Sequence, residues 1–217
     1  MTIEKCQRCL GNQAYKSQIV AECLPVSAFG DVLHKSVEAA TIGLNPALDE
    51  FYHKDYTKLK DRNQRLAVLK DYEITSRSDL QQDNVEEAQK RRKKYFTATA
   101  RECHPFFKRL QNRISDINPS WSFVSGRIIH IDLVACATRE KWGKLGNCRK
   151  ELLNNCQENF LATLSELPSG TVLIPTNQWV SAEIQKLNII MSPENENIRC
   201  IGKLKLGDKE FPVARSL

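Results

Sequence analysis

The sequence predicts an α/β protein, a three-layer α/β/α sandwich built on a central, mostly parallel sheet of four to five strands. Three observations carry that expectation. Short apolar runs alternate with segments of helical spacing, the pattern of a parallel sheet whose crossovers cover both of its faces. The most apolar runs, at 39–44 and 127–135, read as strands buried on both sides. At 217 residues the chain has the length of one ordinary domain with a substantial core. It is read as one domain, 1–217, with a cysteine-bearing N-terminal segment at 1–36.

That N-terminal segment carries Cys6, Cys9 and Cys23 and has little helical or strand periodicity. The first strand, at 39–44, runs into Gly43-Leu44-Asn45-Pro46-Ala47-Leu48-Asp49-Glu50-Phe51. Glycine permits close backbone approach, and proline fixes φ and withholds an N–H, so the chain turns sharply there. The turn delivers polar groups to the carboxyl end of a strand, where open α/β sheets bind their ligands. Residues 50–83 are polar and charge-dense, and a helix is predicted over 84–97. That helix contains Lys90-Arg91-Arg92-Lys93-Lys94, followed by Tyr95 and Phe96. The basic run reads either as a solvated helix face or as a nucleic-acid contact that pairs with phosphates beside stacking aromatics.

Over 105–117, Phe106, Phe107, Leu110, Ile114 and Ile117 recur at helical spacing, and Asn118-Pro119 supplies the stop. The run 127–135, rich in Ile, Leu and Val, is the central strand. A helix over 152–167 ends at Pro168-Ser169-Gly170, and a short strand over 171–174 follows. Asn177, just beyond that strand, is a candidate substrate-binding amide. A helix over 179–187 and terminal strands at 198–205 and 210–214 complete the expected order.

The 32 Lys and Arg against 26 Asp and Glu give a formal charge of +6, which favours a polyanionic partner without the excess of a dedicated nucleic-acid coat. The first residues lack the apolar core of a signal peptide, and the longest apolar stretch, 128–137, contains His130 and Asp132. A cytoplasmic monomer with no membrane partner is the expectation. Eight cysteines in a reducing compartment are expected as buried thiols, metal ligands or reactive thiols rather than a disulfide framework.

The chemistry concentrates at two places. Side chains at i and i+2 of a strand share a face, so His130 and Asp132 point the same way. Two ionisable groups in a buried strand must either satisfy each other or line a polar site, and the strand ends soon after, in Cys136-Ala137-Thr138-Arg139. Together with Asn45, Asp49 and Glu50 they form the candidate catalytic set.

The segments Gly43-Leu44-Asn45-Pro46-Ala47 and Ile131-Asp132-Leu133-Val134-Ala135-Cys136, separated by a helical middle, resemble the uracil-DNA glycosylase superfamily. The first segment is similar to the motif whose acid or Asn handles the attacking water. The second is similar to the central strand carrying an Asn that reads the base. An uncharacterised branch with a Gly-Leu-Asn-Pro turn and a His-x-Asp-Leu strand is the most similar, matching also Ala137-Thr138 and Trp142, and the resemblance spans about residues 1–190. It implies a DNA glycosylase of base-excision repair that takes a damaged or modified base out of single- or double-stranded DNA. In that reading Asn45 positions water. Asp49 or Glu50 supplies negative charge to an oxocarbenium-like sugar, because an amide is no general base. Gly43, Leu44, Pro46, Asp132 and Asn177 contact the substrate, Phe51 or Tyr52 stacks on the base, and Lys90, Arg91, Arg92, Lys93, Lys94 and Arg215 hold DNA.

The order of Cys6, Cys9, Cys136 and Cys156 is similar to that of the superfamily's iron–sulfur branch, which implies a [4Fe-4S] cluster on those four thiolates. Cys148 competes for the fourth position. A zinc site on Cys6, Cys9, Cys23 and His34 is an alternative, as are unconnected thiols.

Two departures from the pattern bear on function. Asp132 stands where the base-reading Asn would be, and an ionised carboxylate only accepts hydrogen bonds, so it suits an amino-bearing base better than uracil. No His follows His130, whereas the superfamily has a late loop with a His or Asn that supports the departing base. His130 could substitute from the strand, or Arg215 and Ser216 could do so. Otherwise the chain is a catalytically silent nucleic-acid-binding protein on the same scaffold.

Overall fold

A computed structural model of the chain describes residues 3–13, 15–52, 66–98, 104–187, 189–190 and 200–217. The strands are β1 (Ala28–Phe29), β2 (Ala39–Gly43), β3 (Ile128–Asp132), β4 (Val172–Pro175), β5 (Ile189–Ile190), β6 (Cys200–Leu206) and β7 (Lys209–Ala214). The helices are α1 (Gln82–Lys93), α2 (Tyr95–Ala98), α3 (Pro105–Ile117), α4 (Cys148–Glu166) and α5 (Gln178–Gln185). One sheet takes all of these strands in the order β1-β3-β2-β4-β7-β6-β5. Its middle, β3-β2-β4-β7, is parallel, while β1 and the β6 and β5 edge pair antiparallel.

The fold is the α/β sandwich the sequence predicts, with more strands than the expected four to five. The additional strands include β1 and β5, each of two residues, too short to show a period of their own. β6 and β7 form a hairpin whose turn places Gly207 at φ 60°.

Alternation along β2 and β3 builds the layers. Ala39 and Ile128 face one core with Phe107, Leu110 and Ile114 of α3 and Tyr95 and Phe96 of α2. Ala40, Ile42, Ile129 and Ile131 face the other, with Phe160 and Leu164 of α4 and Val180 and Ile184 of α5. α3 begins and ends where its sequence says: Pro105 occupies the first turn, and Asn118 closes it. The helix predicted over 84–97 is broken at Lys94, so that Tyr95 and Phe96 turn inward to 2% exposure each. α4 starts earlier than its apolar spacing suggests, at Cys148, because its first turn is polar. The central strand stops at Asp132, and the Leu133 and Val134 N–H groups then donate to the carbonyls of Gly43 and Leu44 at 3.1 and 2.8 Å. Within the charge-dense run, 53–65 lies outside the described residues, while Leu66, Val68 and Leu80 are buried. Among the described residues no helix is long and apolar enough to cross a membrane.

Candidate functional site

Parallel pairing sets Thr41 beside His130 and Gly43 beside Asp132, all four on the α3 face at the carboxyl ends of β2 and β3. The side chains form a buried chain: Thr41 Oγ1 lies 2.8 Å from His130 Nδ1, and His130 Nε2 lies 3.2 Å from Asp132 Oδ1. A carboxylate accepts only, so Nε2–H donates to Asp132 and, in the neutral imidazole, the Thr41 hydroxyl donates to Nδ1. The Ile129 carbonyl, 3.2 Å from Thr41 Oγ1, takes that hydroxyl proton if the ring becomes an imidazolium. The trio therefore accommodates both ring states without losing a partner. Phe29, Phe106 and Phe107 pack around the imidazole with centroids 5.6, 5.6 and 5.0 Å away.

Gly43 makes this possible by what it lacks. An ideal Cβ there would fall on Asp132 Oδ1 and 2.6 Å from His130 Nε2, closer than real Cβ contacts. Its role is close approach of the neighbouring strand's side chains, rather than an unusual backbone angle.

Above this floor opens a cavity of about 300 Å³, large enough for a nucleobase. Gly43, Leu44, Asn45, Pro46, Glu50, His130, Asp132 and Asn177 line it together with Phe29, His104, Phe106, Phe107, Arg109 and Thr176. Asn45 donates from Nδ2 to the Pro46 carbonyl at 3.1 Å and to Thr138 Oγ1 at 3.2 Å. Both amide protons are thus spoken for, and Oδ1 is the atom left to accept from a water. Glu50 is 2% exposed and accepts a 2.6 Å hydrogen bond from the Tyr95 hydroxyl. Asp49 lies outside, on an adjoining cleft of about 430 Å³ that shares Asn45, Pro46, Ala47 and His104 with the cavity. Asn177 also caps α5, its Oδ1 accepting from the Trp179 and Val180 N–H groups at 3.0 and 3.1 Å.

Several expected residues stand elsewhere. Phe51 is fully buried in the α3-side core, turned inward by the short helical turn Leu48–Glu50, and the rings on the cavity are Phe29, Phe106 and Phe107 instead. In the basic run, Arg91 is held by Glu87 and Asp71 at 2.5 and 2.9 Å, Arg92 lies 3.6 Å from Glu4, and Lys93 lies 3.8 Å from Asp31. Lys90 and Lys94 are exposed, and none of the five lines either opening. Arg215 is exposed and likewise off both linings.

The sequence reading passed over His104. It lies at the junction of the two openings, its Nδ1 accepting from the Phe106 N–H at 3.3 Å and its Nε2 3.7 Å from Asp49. Its position before Pro105 marks it as a helix cap, and nothing local marks it as part of a site. Thr41 was hidden as an ordinary strand-former.

A second cluster lies behind the loop that follows β3. Cys9, Cys136 and Cys156 share a small core with Tyr15 and Trp142. Hydrogen bonding to Cys136, then to Cys156, and burial push the Cys9 thiol far up, while the bond from Cys9 lowers Cys136 against its own burial, with Arg77 adding to the effect. Cys6 is buried nearby, its carbonyl held by the same Arg77 that reaches Cys136. Among the described residues no group of three or more His, Cys, Asp or Glu is arranged to hold a metal ion. Cys23 is buried in the α3-side core, and His34 hydrogen-bonds Ser36 at 2.6 Å beside Gly126. Compared with protein-family models, curated proteins and solved structures, the chain matches none.

Proposed function

We propose that this chain is a DNA glycosylase that hydrolyses the N-glycosidic bond of a damaged or modified base, with an amino-bearing base favoured over uracil. The observation that carries the reading is the single cavity of about 300 Å³ that gathers Asn45, Glu50, His130 and Asp132 around three phenylalanine rings. The rings supply a dry, stacking enclosure for an extruded base. Asn45 Oδ1 orients the attacking water, and the buried Glu50 carboxylate stabilises positive charge developing on the sugar as the bond to the base lengthens. Asp132, with Oδ1 engaged by His130, offers Oδ2 to an exocyclic amino group. His130 and His104 are the groups placed to support the departing base.

Four thiols, Cys6, Cys9, Cys136 and Cys156, are proposed to hold an iron–sulfur cluster. The donor set fits: it is all sulfur, buried, and faced by the Arg77 cation. When bound, such a cluster supplies a redox-capable tie between the N-terminal segment, the loop after β3 and α4.

The test is incubation with oligonucleotides carrying uracil, hypoxanthine and modified cytosines, followed by alkali to reveal abasic sites. Cleavage at an amino-bearing base supports the reading. Salt-sensitive DNA binding with no cleavage on any substrate favours the silent binding protein instead.

A further inference from the structure

Arg77 is among the largest side chains fully withdrawn from solvent, at 1% exposure. Its Nη1 donates to the Cys6 carbonyl at 3.0 Å and to Cys136 Sγ at 3.7 Å, and its Nη2 donates to the Cys23 and Val20 carbonyls at 2.7 and 3.4 Å. Its Nε has no acceptor. Among the described residues no carboxylate stands within ion-pair distance of it, whereas Arg91 and Arg92 each have one. A guanidinium keeps its proton in proteins, and a buried cation without an anion costs several kcal/mol. Carbonyl dipoles offset part of that cost. The group in contact that can become an anion is the sulfur of Cys136.

The placement is as telling as the charge. Arg77 joins the Cys6 backbone, the turn at Val20 and Cys23, and the Cys136 side chain, so its cation faces the point where the N-terminal cysteines meet the loop after β3.

We infer that Arg77 is the built-in counter-charge of the Cys6, Cys9, Cys136 and Cys156 centre, and that it is tolerated in the core because that centre is anionic in the working protein. The inference rests on the cluster reading. Four thiolates around a [4Fe-4S] core in its 2+ state leave a net charge of −2, and one-electron reduction makes it −3. A fixed positive charge beside the sulfurs therefore favours metal retention and favours the reduced state still more, raising the reduction potential.

The experiment compares wild type, Arg77→Met and Arg77→Lys, all purified anaerobically, for iron and sulfide per chain, visible absorption, reduction potential, and Tm before and after stripping with a chelator. Wild type is expected to carry iron and sulfide, and Arg77→Lys to stay close to it. Arg77→Met is expected to lose most of its metal or to show a more negative potential in the loaded fraction, with a lower Tm than loaded wild type. After stripping, the sign reverses: Arg77→Met melts at or above wild type, because the uncompensated charge is gone. Arg77→Met with wild-type metal content, potential and loaded Tm overturns the counter-charge while leaving the cluster standing. Iron-free wild type removes the cluster, and the inference with it. If Arg77→Met does not fold, Arg77→Lys decides: metal retained supports the inference, and depletion as deep as in Cys136→Ser overturns it.

Discussion

Replacing Gly43 by alanine adds one methyl group at the most crowded point of the site. The new Cβ would fall on Asp132 Oδ1 and come within 2.6 Å of His130 Nε2 and 2.8 Å of its Cε1. All three atoms are side-chain ends rather than backbone, but their residues are only 3% exposed, and the His130 ring is walled in by Phe29, Phe106 and Phe107. The cheapest relief swings the Asp132 carboxylate into the cavity and breaks its bond to Nε2. Overpacking of this kind costs about 1–3 kcal/mol, and a lost buried hydrogen bond adds about 0.5–1.5. At roughly 2–4 °C per kcal/mol for a chain of this size, Tm should fall by about 3–18 °C. Gly143→Ala is the control, since nothing lies within 4 Å of a Cβ there and its Tm should hold. The assay is thermal unfolding of both variants, with the His130 imidazole resonances followed by NMR. Unchanged Tm and unchanged His130 resonances in Gly43→Ala would refute the claim that Gly43 exists to admit the His130 and Asp132 pair.

Two further outcomes follow from the same geometry. Asp132→Asn keeps an oxygen for His130 Nε2 and turns the other carboxylate position into a donor, so preference should swing from amino-bearing bases toward uracil. The ratio of kcat/KM values should move by about 10–100-fold, the worth of one or two kcal/mol at a buried polar contact, and an unmoved ratio would take base reading away from Asp132. Burial first, then the charges of Cys23, Glu22 and Asp71, push the Tyr52 hydroxyl up to about 12, and burial also raises Tyr72. Raised acids of this kind contribute stability that is present below the unfolded value near 10 and is lost as pH climbs toward about 12. Tm should therefore fall across that window in step with phenolate absorbance, and a flat profile would contradict the burial of Tyr52.

What the sequence discloses and what it hides follow from the range of the forces involved. α3 is legible to the residue because all its determinants are local: Pro105 at the start, Phe107, Leu110 and Ile114 on one face, Asn118 and Pro119 at the end. β2 and β3 are legible because burial on both faces leaves continuous apolar runs. The two residues of β1 are not, since their conformation is imposed by β3 alone. The same division holds at the site. Asn45, His130 and Asp132 announce themselves as polar groups breaking apolar runs. The basic run misleads because the carboxylates that hold Arg91, Arg92 and Lys93 include Asp71, Glu4 and Asp31, brought in from distant parts of the chain.

The residues that stayed hidden share a property that sharpens the functional argument. His104 and Arg77 sit in polar surroundings in the sequence, where a charged or titratable side chain calls for no explanation. Folding carries each to a place where it does. His104 arrives between Asp49 and the cavity, and Arg77 arrives at the sulfurs with no carboxylate beside it among the described residues. A polar residue in an apolar run must be explained at once, because burial is evident. A polar residue in a polar run becomes informative only when its solvent has been removed, and the energetic cost of that removal then asks which ligand or ion offsets it. On that criterion the floor of the cavity is already balanced by the Thr41, His130 and Asp132 chain, whereas the Arg77 cation still calls for an anion. The sulfur centre is therefore the part of this molecule whose chemistry is most strongly demanded by its surroundings.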